Sequence, residues 1–198
     1  MVLQLNKNAL GIAPVNPQVA LSSAIANGAS CTATVPLFIS PPMMNTQDAT
    51  TTIQSAMKNT VTNGVFYFVL PFKMDALFKA GGFTGDVKAF GGKWLSAEYG
   101  GANEVSALVD NLPTVDIDAI SAKLATKKMV FVTKRDIPGQ VGQVSVYYSA
   151  LTCQSDMLFL IELKLKAGMA IGKVTVRSQS KNLSEICKQA VKEAILAV

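Results

Sequence analysis

The sequence predicts an α+β protein, in which a β-sandwich segment leads into an antiparallel sheet layered with a few helices. Three observations carry this. The first third consists of short β-branched and aromatic runs punctuated by Pro, Gly and Asn, with no helical period. The end of the chain repeats apolar residues at i, i+3, i+4 and i+7. Between them lie apolar runs joined by short turns, with no strand–helix–strand alternation and no glycine fingerprint.

Taken in order, Ser30–Phe38, Ala49–Met57 and Gly64–Leu70 read as strands. About four to five strands fit in this region, fewer than the roughly seven of an immunoglobulin-like sandwich. The texture changes near Pro71, which predicts a β-sandwich subdomain over 1–71 and an α+β subdomain over 72–198. A helix is expected over Gly85–Ser96, with Val87, Phe90 and Trp94 on one side and Gly91-Gly92 weakening it. Asp116–Ala125 is a second helix, with Ile117, Ile120 and Leu124 on one face. Strands follow at Met129–Lys134, Gln143–Leu151, Met157–Lys166 and Lys173–Ser178. The terminal helix buries Leu183, Ile186, Cys187, Ala190, Val191, Ala194, Ile195 and Val198, with Asn182 and Glu185 as a capping pair.

Composition narrows the function. With 49% hydrophobic and 16% charged residues, the 198-residue chain has a core to bury. It contains no histidine, which removes His-dependent triads and most zinc sites. Cys31, Cys153 and Cys187 are too scattered for a thiolate metal motif and read as reduced, buried cytosolic cysteines. No G-x-S-x-G elbow occurs, and Gly91-Gly92-Lys93 is followed by Trp94 where a phosphate loop needs Ser or Thr. Ser55-x-x-Lys58 and Ser178-x-x-Lys181 lack supporting motifs. No catalytic residue, cofactor or metal is expected, and an enzyme is hard to build from this inventory.

Met1–Lys7 lacks the basic start and long apolar block of a secretory signal, and the uncharged stretch from Asn8 to Gln47 is broken by prolines and polar residues, so it does not read as a membrane span. Net charge is +5, but acids and bases interleave after residue 72. That is weaker than the basic stripe of a nucleic-acid binder, which stays as the alternative of a different class.

The hairpin expected over Gln143–Leu151 / Met157–Lys166 is the most informative segment. Face matching and a short loop pair Leu151 with Leu158, which sets Tyr147 opposite Glu162 and Ser145 opposite Lys164. Two readings stay open at this point. Tyr147 is either covered by a helix while Glu162 pairs with Lys164 or Lys166, or the two form part of an exposed binding face. Trp94, the only tryptophan, is likewise either core or contact.

Four blocks carry a resemblance: Leu5-Asn6-Lys7-Asn8 with Leu10-Gly11; Val65-Phe66-Tyr67-Phe68; Lys134-Arg135 with Gly139-Gln140; and Leu160-Ile161-Glu162-Leu163. In that order, and with the terminal helix, the chain resembles the appendage (ear) domain of the beta-adaptins of clathrin adaptor complexes. A COPI coat appendage is the nearest alternative. The resemblance implies an immunoglobulin-like β-sandwich, here lacking its first strands, followed by a platform subdomain of antiparallel sheet and helices. It also implies a non-enzymatic module, cytoplasmic and peripheral on clathrin-coated membranes. Such a module binds short helical motifs of the Phe-x-x-Phe/Leu-x-x-x-Arg type in accessory and sorting proteins, and assists clathrin binding. Without the flexible hinge, clathrin binding is expected to be weak.

By the same resemblance, the platform site comprises an exposed Trp94 and Tyr147, the acids Glu104 and Glu162, and the base Arg135. A second site on the sandwich comprises Tyr67, Val65 and Lys58. Alternation agrees in placing Tyr67 outward, with Phe66, Phe68 and Leu70 inward. Departures from the family pattern include Leu95, where a basic residue is common after the tryptophan, a longer loop to Glu104, and a longer connection from Gly139-Gln140 to Tyr147, which bears on the placing of Arg135.

Overall fold

The computed structural model describes residues 1–6, 8, 11–21, 24–39, 52–153 and 156–197. Among the described residues, three α-helices and antiparallel sheets make an α+β architecture, and the chain divides into two units, Met1–Phe72 and Lys73–Val198.

The first unit holds β1 (Val2–Leu5), β2 (Ile12–Pro14), β3 (Leu37–Ile39), β4 (Thr52–Lys58) and β5 (Val65–Pro71). They form a three-stranded sheet, β1-β4-β5, and a two-stranded pair, β2-β3. Leu3, Ile12, Val19, Ile53 and Ala56 are buried. The strand expected over 30–38 is confined to Leu37–Ile39, and residues 49–51 of the next one lie outside the described residues. Tyr67 does point outward, at 81% exposed. Phe66 shares the face of Phe68, as alternation suggested, the two rings stacking with centroids 5.5 Å apart, but it is exposed rather than buried. The reason is position, because β5 is an edge strand of the described sheet.

The second unit is built on β6 (Phe78–Lys79), β7 (Val105–Asp110), β8 (Val130–Asp136), β9 (Gln143–Thr152), β10 (Leu158–Lys166) and β11 (Ile171–Arg177). Their order is β6-β9-β10-β11-β7, with β8 also paired to β9. The hairpin register is the one read from face matching, with Leu151 opposite Leu158, Tyr147 opposite Glu162 and Ser145 opposite Lys164.

Both faces of this sheet bury side chains, one along most of its length and the other in part. On one, Val146, Tyr148, Phe159, Ile161 and Leu163 are buried, and Tyr148 Oη lies 3.0 Å from Ser121 Oγ of α2 (Ile117–Thr126). The terminal helix α3 (Lys181–Leu196) packs on β11 and β7 and buries Leu183, Ile186, Cys187, Ala190, Val191, Ala194 and Ile195. Val198 lies outside the described residues. Each buried aliphatic side chain contributes about 1.5–3 kcal/mol, so this face holds the larger share of the stability.

The other face is covered by α1 (Val87–Leu95), which starts where Asp86 accepts a hydrogen bond from Ala89 N at 2.7 Å. Gly91 and Gly92 face open space, and each costs the helix about 1 kcal/mol relative to alanine. Burial of Phe90 and Trp94 offsets that cost, since each aromatic contributes at least as much.

Two details differ from expectation. The terminal helix begins after Ser180 rather than at Asn182, and its entry is organised by the Ser178 hydroxyl, which accepts from Ser180 N at 3.1 Å and lies 2.9 Å from Ser184 Oγ. Of the three cysteines, expected to be buried, only Cys187 is; Cys31 and Cys153 are exposed because they sit outside strands and helices.

Candidate peptide-binding site

Strand alternation puts Tyr147 and Leu160 on the α1 side of the sheet, and helical spacing puts Phe90 and Trp94 over them. The Trp94 and Tyr147 rings meet edge to face with centroids 5.3 Å apart, and Phe90 meets Tyr147 at 5.7 Å. The Arg135 guanidinium, reaching over from β8, lies 5.3 Å from the Tyr147 ring centroid. These groups, with Val87, Leu95 and Thr133, line a pocket of about 260 Å³.

The expectation of an exposed Trp94 and Tyr147 is corrected here. They are only 8% and 4% exposed, because α1 lies on Tyr147 and joins Phe90, Tyr99, Leu158 and Leu160 in one aromatic layer. Trp94 and Tyr147 form the floor of the pocket. Its lip is Leu95, at 81% exposed, with Val87 and Arg135 also exposed.

Both acids are engaged. Glu162 is buried; its carboxylate accepts from Tyr147 Oη at 2.7 Å and lies 3.5 Å from Lys164 Nζ. This is the covered reading of the hairpin. Burial, and then the adjacent Glu162, push the Tyr147 phenol above its ordinary value; the Arg135 charge pulls it part of the way back. Glu104 accepts from Arg177 Nε at 2.8 Å and Nη2 at 2.5 Å. Arg177 in turn lies 4.3 Å from the Trp94 ring centroid and donates to the Trp94 carbonyl. The site is therefore a braced aromatic recess with one outward cation, Arg135.

Residues 85–195, from just before α1 to the last turn of α3, match the family described as beta2-adaptin appendage, C-terminal sub-domain. The match spans more than half of the chain. The chain belongs to this family. No curated protein matches it. Appendages of this family are non-enzymatic protein-interaction modules of clathrin adaptors.

The appendage sub-domain thus brings together Trp94, Tyr147, Arg135 and Glu162, with Glu104 joined to Trp94 through Arg177. Tyr67, Val65 and Lys58 belong to the first unit, where Val65 stands opposite Lys58 and Tyr67 opposite Ala56. Arg177 was not among the residues expected from sequence, although its register opposite Leu160 places it on the Trp94 side of the sheet. Leu95 was noted only as a departure from a basic residue, yet it is the most exposed apolar group on α1. Among the described residues, no group of three or more acids or cysteines could hold a metal ion, and no helix is long and apolar enough to cross a membrane.

Proposed function

We propose that the pocket beneath Leu95 receives an aromatic anchor of a short helical peptide, making the chain a motif-binding module of clathrin-coat assembly and cargo transport. The observation that carries this is a recess floored by Trp94 and Tyr147 and rimmed by Leu95 and Arg135. A helix of the Phe-x-x-Phe/Leu-x-x-x-Arg type presents one apolar face. It would seat a ring in the recess and lay its second anchor on Leu95 and Val87. Acidic residues upstream in the peptide meet Arg135. A peptide arginine must compete with Tyr147 and Lys164 for Glu162, or with Arg177 for Glu104, so its contribution is the smaller one. Single motifs bind weakly, and many appendages on one coat supply avidity. The setting is the cytoplasmic face of clathrin-coated membranes, with accessory and sorting proteins as partners and clathrin as a secondary one.

The first unit supports a second contact surface. Tyr67, Val65 and Val69 are all exposed on one face of β5, with Lys58 across from Val65. As part of the appendage sandwich, this face would hold a further motif.

The test is calorimetric titration with a helical Phe-x-x-Phe/Leu-x-x-x-Arg peptide on wild type, Leu95→Asp, Arg135→Glu and Tyr67→Ser. Leu95→Asp is expected to abolish binding and Arg135→Glu to weaken it about tenfold. Binding indifferent to both but lost with Tyr67→Ser would move the site to the first unit. Absence of binding by well-folded protein would overturn the reading.

A further inference from the structure

Part of the sheet face that α1 covers is left in the open. Across it, strand registers set Arg135 opposite Ser145, Ser145 opposite Lys164, Lys164 opposite Lys173, and Lys173 opposite Leu108. Cross-strand partners share a face, so three cations stand in one row, two of them side by side. Like charges directly opposite destabilise a sheet unless something neutralises them. Lys166 adds a further positive charge on the same face of β10, two residues beyond Lys164.

The acids facing this row are few. Glu162 is already bonded to Tyr147 and paired with Lys164, and Asp110 stands at the far corner opposite Ile171. Between Arg135 and Lys164 in the register stands only Ser145, a buried and uncharged residue. Beside the row lies a recess of about 350 Å³, lined by Lys164, Lys166 and Lys173 together with Leu108, Met169 and Ile171. Leu108 is 67% exposed, and Met169 and Ile171 are also exposed.

We infer that this recess is a further docking groove, which takes an acidic peptide segment carrying an aliphatic side chain. Charge complementarity selects the acids, and the interleaved apolar lining selects the aliphatic group. A nucleic-acid backbone would leave Leu108, Met169 and Ile171 without a partner, and a bilayer surface is too broad to enter a recess of this size. The groove shares no lining residue with the Trp94 pocket and does not depend on that pocket being a peptide site.

The test is selection of a random peptide display library on the full chain, repeated on a Lys164→Glu/Lys173→Glu variant. Peptides retained by wild type and lost on the variant are expected to combine two or more acids with Leu, Ile, Val or Met. Their affinity should fall about tenfold with Lys173→Gln alone and about threefold with Leu108→Ser, and be unchanged by Leu95→Asp. Lys173→Gln also serves if the double variant fails to fold. The inference is overturned if no peptide distinguishes wild type from the variants. It is equally overturned if acidic peptides lacking any aliphatic residue bind as well. Tighter binding of anionic vesicles or duplex RNA, lost on the same substitutions, would reassign the groove to those ligands.

Discussion

The Arg177 guanidinium lies 4.3 Å from the centroid of the Trp94 ring and is held there by Glu104. One residue of β11 thereby grips α1 twice, by stacking on the indole and by donating to the Trp94 backbone carbonyl. The arrangement reassigns Glu104. In place of a carboxylate waiting for a ligand arginine, it is the counter-charge that keeps an internal arginine in position.

Glu104→Gln should therefore loosen Trp94 rather than simply remove a binding charge. The pair is partly exposed, so the stability lost is modest, about 1 kcal/mol. The only tryptophan of the chain reports on it directly: its emission is expected to shift to the red, and Arg177→Lys should do the same, because an ammonium has no planar face to stack. Unchanged emission in both variants would show that Arg177 does not brace the ring.

The floor and the lip of the pocket should separate in unfolding experiments. Trp94→Ala is expected to cost about 3–5 kcal/mol, the usual loss for a buried aromatic. Leu95→Asp should stay within about 0.5 kcal/mol of wild type. Urea titration of both variants checks this. Equal losses would contradict the different burial of the two side chains. Loss of ligand binding in Trp94→Ala would by itself be ambiguous, since it would also follow from a displaced α1.

Stability should fall at alkaline pH. Burial above all pushes the phenols of Tyr147 and Tyr148 above the ordinary tyrosine range. The folded state thus holds these protons more tightly than the unfolded chain. The stability they confer is complete below about pH 10 and is lost as pH rises beyond it. Urea midpoints measured from pH 8 to pH 11 should drop more steeply for wild type than for Tyr147→Phe/Tyr148→Phe. Parallel curves would show that the phenols are not the responsible groups.

Thiol chemistry offers an independent check on the packing of α3. Burial drives the Cys187 thiol far above its ordinary value, whereas Cys31 and Cys153 are exposed. A thiol reagent should label those two promptly and Cys187 only on unfolding, as read by mass spectrometry of peptides. Early labelling of Cys187 would mean that α3 opens without global unfolding.

Where sequence pattern and local physics coincided, the structure was legible in advance. The β9–β10 register could be read because Met157, Phe159, Ile161, Leu163 and Leu165 mark a single face, and a one-residue slip would expose it. The terminal helix followed from its periodicity. β7 escaped, because exposed Leu108 stands among Ser106 and Asp110 on its outer face and blurs the alternation. The cover over Tyr147 was not readable either. Both readings of the hairpin fitted its residues, and the choice was made by α1, which is distant in sequence. Arg177 had the same difficulty: its partners Glu104 and Trp94 lie in other elements, and no local pattern joins them.

The double burial of β9 limits how the gene for such a chain can vary in length. Tyr147 serves the aromatic layer under α1, and its neighbour Tyr148 serves the opposite layer through Ser121. Gaining or losing a single codon between Ser145 and Ala150 would exchange the two layers' side chains at once, putting Tyr148 toward α1 and Tyr147 toward α2. A pair of codons would preserve the faces but carry Tyr147 away from Glu162. Indels are therefore expected to gather in the turn at 137–142, where Gly139 and Gly142 already adopt positive φ and most side chains are exposed.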